Sequence, residues 1–103
     1  MNDFNYFDEI LKWAEDRNLV HGSNMQAQTV KLMEECGELA AGVARKDYDK
    51  IVDSIGDAVV VLTILAAQIE VPIKVCIYLA FEQIRYRKGK MIDGVFIKEG
   101  DNG

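Results

Sequence analysis

The sequence predicts an all-α chain, a four-helix bundle ending in a short C-terminal hairpin or extended tail. Apolar residues recur at spacings of three and four nearly throughout. The breaks between these periodic segments are short and polar, as connections between neighbouring helices are. The two-residue turn signature Asp93-Gly94 lies between short apolar arms near the C-terminus.

The first helix runs from about Asp3 to Asn18, with Phe4, Phe7, Ile10, Leu11 and Ala14 on one stripe. The segment His21-Gly22-Ser23-Asn24 reads as a loop in which Ser23 or Asn24 caps the next helix. That second helix extends from about Met25 to Arg45 through Val30, Met33, Leu39 and Val43. After the polar turn Lys46-Asp47-Tyr48-Asp49, a third helix from about Asp49 to Ile69 folds back antiparallel. Its second half, Ala58 to Ala67, is apolar on every side, and a helix apolar all round is buried all round. A four-helix monomer of this size does not enclose a whole helix, so a homodimer or tetramer is expected. Pro72 opens a fourth helix at its first position, reaching to about Arg87. The hairpin occupies Lys90 to Ile97, and Glu99 to Gly103 is expected to be disordered.

With 103 residues the chain is expected to form one domain spanning 1–103. Half of the residues are hydrophobic, enough to bury a core without disulfides or metals as staples. A net charge of −5 argues against binding a nucleic-acid polymer, which calls for a basic face. Cys36 and Cys76 read as reduced core thiols of a cytoplasmic protein. Met1-Asn2-Asp3-Phe4 shows neither a basic leader nor an apolar signal core. The near-apolar stretch Ala58 to Ala67 is about half the roughly 20 residues of a membrane span, so no membrane partner is expected.

The carboxylates of the second and third helices do not fit a bland bundle. At about 100° per residue, Glu34, Glu35 and Glu38 share one narrow arc. Asp53 and Asp57 stand one turn apart on one face, where like charges repel. If the chain reverses near Lys46, Glu35 falls level with Asp57, and Glu38 with Asp53 or Ser54. Four or five carboxylates then meet beside Leu39, Ile55 and Val59. Anions gathered in a half-buried seam require a cation, and oxygen-only ligands select Mg²⁺, Mn²⁺ or Ca²⁺ over zinc. Gly37 and Gly56, each costing a helix about 1 kcal/mol relative to alanine, also fall level and are expected to let the two helices approach closely.

The runs Lys31-Leu32-Met33-Glu34-Glu35-Cys36-Gly37-Glu38-Leu39 and Asp53-Ser54-Ile55-Gly56-Asp57-Ala58-Val59-Val60-Val61-Leu62 resemble the MazG-like nucleoside triphosphate pyrophosphohydrolases. These belong to the all-α pyrophosphatase superfamily with the dimeric dUTPases and phosphoribosyl-ATP pyrophosphatases. The shared pattern is Glu-Glu-x-x-Glu, a gap, then Glu-x-x-Asp. The likeness extends more loosely to the tail from Arg87 to Phe96, and the small phage and bacterial MazG-like proteins are the most similar. One position departs: Ser54 stands where the family has glutamate, and Asp53, one turn from Asp57, can take its place.

The resemblance implies hydrolysis of (deoxy)nucleoside triphosphates between the α- and β-phosphates, releasing nucleoside monophosphate and pyrophosphate. It implies Mg²⁺, with Mn²⁺ possible, held by Glu35, Glu38 and Asp57 together with Asp53 or Ser54. Glu34, at the edge of the arc, then ligates a further ion or accepts the proton of the attacking water. Lys31 points to the seam, to meet phosphate or to pair with Glu35 one turn on. Arg85, Arg87, Lys88 and Lys90 are either favourable charge at a helix C-terminus or, as a group, phosphate contacts across a subunit boundary. Gln28 and Asn24 are candidates to hydrogen-bond the base. Trp13, off the apolar stripe of its helix, is placed to stack on the base or to serve at a rim or interface. A di-iron carboxylate bundle is excluded, because His21, the single histidine, lies in a loop and no helix carries Glu-x-x-His. Two functions follow: a nucleotide-pool hydrolase of the cytoplasm, bacterial or phage-encoded, or a catalytically weak nucleotide- or metal-binding regulatory module.

Overall fold

A computed structural model describes residues 4–100 as four helices and one hairpin. They are α1 (Tyr6–Asp16), α2 (Met25–Arg45), α3 (Tyr48–Gln68), α4 (Ile73–Ile84), β1 (Gly89–Ile92) and β2 (Val95–Lys98). Each boundary has a local cause. The Asn5 side chain accepts hydrogen bonds from the N–H groups of Phe7 and Asp8, so α1 starts later than its apolar stripe; Asp3 lies outside the described residues. Asn24, rather than Ser23, caps α2 by accepting from the Ala27 N–H at 2.7 Å. Lys46, in the left-handed region at φ 55°, ends α2, and Asp47 caps α3 by accepting from Lys50 N–H. This leaves a connection of two residues, which forces α2 and α3 into an antiparallel hairpin.

Two expectations shift at the C-terminal end. Pro72 is the N-cap of α4 rather than its first helical residue, and α4 stops at Ile84, three residues early. It stops because the chain must turn to let the Lys88 carbonyl accept from Glu99 N–H at the base of the hairpin. Glu99 is therefore tied down, contrary to the expected disorder of the tail, of which residues 101–103 lie outside the described part. Ile92 pairs with Val95 across Asp93 and Gly94, both at positive φ (50° and 80°). That is the two-residue turn which Asp-Gly favours, because glycine carries no Cβ penalty there.

α3 is the hub, packing against α1, α2 and α4. It is also long and apolar enough, by length and composition, to cross a bilayer, which a reading of Ala58 to Ala67 alone does not register. Its N-terminal half nevertheless carries Asp49, Lys50, Asp53 and Asp57. Ala14, Val20 and Ile64 form the buried cluster between α1 and α3, with Leu11, Leu19, Val60 and Ala67 packed against it.

The α2–α3 contact is a coiled-coil-like seam. Gln28, Leu32, Glu35, Leu39 and Gly42 of α2 and Ile51, Ser54, Ala58, Val61 and Leu65 of α3 are all buried or half-buried, at alternating spacings of three and four. Gly42 sets the register. A Cβ there would meet Ile51 Cγ1 at 3.2 Å and Ile51 N at 3.4 Å. Running in opposite directions from that contact, Leu39 falls level with Ser54 and Glu35 with Ala58, within one position of the sequence expectation. Close approach therefore belongs to Gly42, not to Gly37 and Gly56, where an added Cβ would meet nothing within 4 Å. Those two glycines face outward, and nothing in the structure explains them. Gly42→Leu is thus expected to cost about 1–3 kcal/mol by overpacking. Gly37→Ala is expected to gain up to about 1 kcal/mol of helix propensity. Thermal unfolding checks both, since 1 kcal/mol moves the midpoint of a domain this size by about 4–8 °C; a Gly42→Leu melting point at or above wild type would contradict the register.

One chain does not cover its own apolar surface. Its radius of gyration is 16.5 Å, against about 13 Å for a compact domain of 100 residues. Neither α4 nor the hairpin contains a buried residue, and Ile77, Phe81 and Ile84 form an exposed stripe. Leu62, in the all-apolar half of α3, is also exposed. The core-thiol expectation fails as well: Cys36 is exposed and Cys76 half-buried.

Candidate metal and nucleotide site

Seam spacing places one acid of α2 inside the contact and leaves the others at its edge. The Glu35 side chain is 7% exposed, and its Oε2 is buried without a hydrogen-bond partner. Ser54, 1% exposed, likewise leaves its Oγ unpartnered. By register they lie within one turn of each other, beside the small Ala58. Glu34, Glu38 and Asp53 are exposed, and Asp57 is half-buried.

The electrostatics tie the two helices together. Partial burial, then the charge of Asp53 and a side-chain hydrogen bond with it, then the charge of Glu38, hold the Asp57 carboxyl above its ordinary pKa of 3.8; Lys31 acts in the opposite direction. So Asp57 of α3 feels Glu38 and Lys31 of α2, as the folding-back predicts. Lys31 Nζ lies 3.6 Å from both Glu34 Oε2 and Glu35 Oε1. Of the two expected roles for Lys31, the structure realises the ion pair, and it extends it to Glu34.

Among the described residues, no three His, Cys, Asp or Glu side chains come together as a ligand set for a metal ion. The donor set nonetheless fits a hard divalent cation. It is all oxygen, it includes one buried carboxylate oxygen with no partner, and its neighbouring acids raise the proton affinity of Asp57. Asp53 stands exposed at the edge of the seam, where its charge acts on Asp57, whereas Ser54 is buried in the helix contact.

Next to Asp57 a cleft of about 410 Å³ opens between α1 and α3, lined by Tyr6, Glu9, Ile10, Trp13, Asp57 and Val60. Trp13 thus reaches the carboxylate seam, with the Arg17 guanidinium stacked 4.5 Å from its ring centre. The sequence did not single out Tyr6 or Glu9, and it marked Ile10 only as part of the apolar stripe. The available signal was their position with Trp13 on one helical stripe, beside the core stripe of Phe7, Leu11 and Ala14.

The remaining candidates lie elsewhere. Gln28 is buried, and its Nε2 donates to Ser23 Oγ at 3.1 Å, so it does not line the cleft. Asn24 is engaged as the α2 cap. Arg85 pairs with Glu82 at 2.8 Å and stacks on Phe81 and Tyr86. Lys88 lines a basic hollow with Arg87 and Lys98 at the end of the α4–hairpin arm. His21 lines a separate cavity of about 300 Å³ with Glu15 and Glu70.

With this geometry in hand, comparison with known proteins is specific. The family model of the MazG nucleotide pyrophosphohydrolase domain matches residues 24–90, which hold every carboxylate of the seam. Over 59 residues the chain is 61% identical to an uncharacterized 18.2 kDa protein of the rep-hol intergenic region of Haemophilus phage HP1 (strain HP1c1). That match covers 57% of this chain and 36% of the phage protein, so the chain spans little more than a third of that relative's length. No solved structure matches.

Proposed function

Because the chain belongs to the MazG nucleotide pyrophosphohydrolase domain family, we propose that it hydrolyses (deoxy)nucleoside triphosphates between the α- and β-phosphates in a Mg²⁺-dependent reaction. The observation that carries this reading is that the charges of Asp53 on its own helix and Glu38 across the seam both act on Asp57, together with the buried, unpartnered Glu35 oxygen on α2. Glu35, Glu38, Asp53 and Asp57 hold the ion. When bound, Mg²⁺, or Mn²⁺ in its place, neutralises triphosphate charge and lowers the pKa of water. That inversion of local charge lets an acidic protein take an anionic substrate.

The chain's own groups do the rest. Lys31 fixes the Glu34 and Glu35 carboxylates. Glu34, solvent-facing at the edge of the arc, accepts the proton of the water that attacks the α-phosphorus. A P–O bond forms to water as the bridging P–O bond breaks, and pyrophosphate leaves. Trp13 stacks on the base in the cleft beside Asp57.

The functional unit is a homodimer or tetramer. Residues 85–103 hold five of the twelve basic residues against three acids, whereas residues 1–84 hold seven against fourteen. The arm is thus basic and apolar while the seam is acidic. Packing the arm on a second copy covers Ile77, Phe81 and Ile84 and brings Arg85 and Lys88 toward the partner's phosphates. The role is housekeeping of the nucleotide pool in a bacterial or phage-infected cytoplasm; the phage relative supports a phage-encoded source. Incubation with a panel of triphosphates and Mg²⁺ tests the activity. Pyrophosphate and nucleoside monophosphate are expected in equal amounts; release of orthophosphate with nucleoside diphosphate would refute the bond assignment.

A further inference from the structure

The cleft beside Asp57 has two acids, and the proposed chemistry uses only one. Glu9 lines the same cavity as Tyr6, Ile10, Trp13 and Val60. It stands one turn from Trp13 and one turn from Tyr6 on the cleft-facing stripe of α1. Both Asp8 and Glu9 lie in the first turn of α1, where negative charge is favoured by the helix dipole. The dipole accounts for either acid, but only Glu9 also lines the aromatic cleft. Asp8, on the other side, pairs with Lys74 at 3.5 Å. Glu9 enters none of the ion pairs among the described residues. Moreover, α1 lies outside residues 24–90, so family membership assigns nothing to this wall.

We infer that Glu9 reads the base, and that the base it selects is guanine. This rests on the reading of the site as a nucleoside triphosphate hydrolase and specifies its substrate. The argument is one of donors and acceptors. An ionised carboxylate only accepts hydrogen bonds, through two oxygens side by side. Guanine presents two adjacent donors, N1–H and the 2-amino group, which match those oxygens as a bidentate, charge-assisted pair. Adenine and cytosine each offer one amino donor beside a ring nitrogen that accepts. Uracil and thymine offer one N–H between two carbonyl oxygens, and both oxygens face the anion unfavourably. A site built around an acceptor pair therefore ranks guanine first and uracil or thymine last, with the ring held against Trp13 and Tyr6. Glu9 is a specificity-determining residue on this account, not a catalytic one.

Binding of the monophosphate products to the full-length protein in Mg²⁺, measured by calorimetry, tests this independently of turnover. GMP is expected to bind roughly 10- to 100-fold more tightly than UMP. IMP, which lacks the 2-amino group, is expected to lose about tenfold relative to GMP. Glu9→Gln, conservative at an exposed helical position, replaces one acceptor by a donor and is expected to erase the ranking. Equal binding of GMP and UMP, no nucleotide binding at all, or an unchanged ranking in Glu9→Gln would overturn the inference. If triphosphates are hydrolysed with no dependence on Glu9, this inference fails and the hydrolase reading stands. If no triphosphate is cleaved but GMP binding depends on Glu9, the reverse holds.

Discussion

Asp57→Asn is expected to lower turnover of nucleoside triphosphate by at least about 10²–10³-fold while leaving the metal-free fold intact or more stable. Asp57 is the acid on which burial and the Asp53 and Glu38 charges converge, so it is where a cation gains most and where an uncompensated charge costs most. The sign of the pH dependence follows. Its folded-state pKa lies above the unfolded 3.8, so between those values the folded protein binds more protons than the unfolded. Stability contributed by this group is therefore greatest on the acid side and declines as pH rises from about 3.8 through the raised value. In metal-free wild type, mild acidification is expected to raise the melting temperature relative to Asp57→Asn, whose neutral amide has nothing to titrate. Mg²⁺ is expected to narrow that difference by stabilising the ionised form. Circular-dichroism melts at several pH values, with and without the metal, check it. Loss of folding in Asp57→Asn would assign the residue a structural role instead.

Ile77→Glu is expected to convert an oligomer into a monomer. Ile77 is 48% exposed in the single chain and sits at spacings of four and three with Phe81 and Ile84. On the hairpin the cross-strand partners Met91 and Phe96 are also about half exposed or more. Soluble monomers do not usually leave an apolar helix stripe of this kind in water, where each Å² costs about 25 cal/mol. A carboxylate buried in that contact without a partner would weaken association by about 10²-fold or more. Sedimentation measures it: wild type is expected as dimer or tetramer and the variant as monomer. On the proposed packing of the basic arm against the partner's seam, activity is expected to fall with the assembly. A monomeric wild type would remove the proposed role of Arg85 and Lys88.

The helices were legible because amphipathic spacing, caps and the Asp-Gly turn are local, and they placed α2 at Met25–Arg45, where the structure has it. The antiparallel register was also legible, since a two-residue connection leaves little freedom and Gly42 against Ile51 fixes the rest. What the sequence could not distinguish was which acids face inward. Glu34, Glu35 and Glu38 share one arc, yet only Glu35 falls on the seam repeat with Leu32 and Leu39. The role of the glycines was misplaced because loss of helix propensity says nothing about which face a glycine presents; the contact glycine is Gly42, in a run that reads as ordinary helix. Cys36 and Cys76 show the complementary limit. Apolar periodicity marks surfaces that will be covered, without telling whether the cover comes from the same chain.

The account stands on one divalent ion shared between α2 and α3. Crystals grown with Mn²⁺ and a non-hydrolysable triphosphate, measured at the manganese absorption edge, test it most directly. The account predicts an anomalous peak bounded by Glu35, Glu38 and Asp57, with phosphate oxygens completing the shell. Triphosphate bound with no peak at that position, or a peak held elsewhere while those carboxylates remain apart, would contradict it.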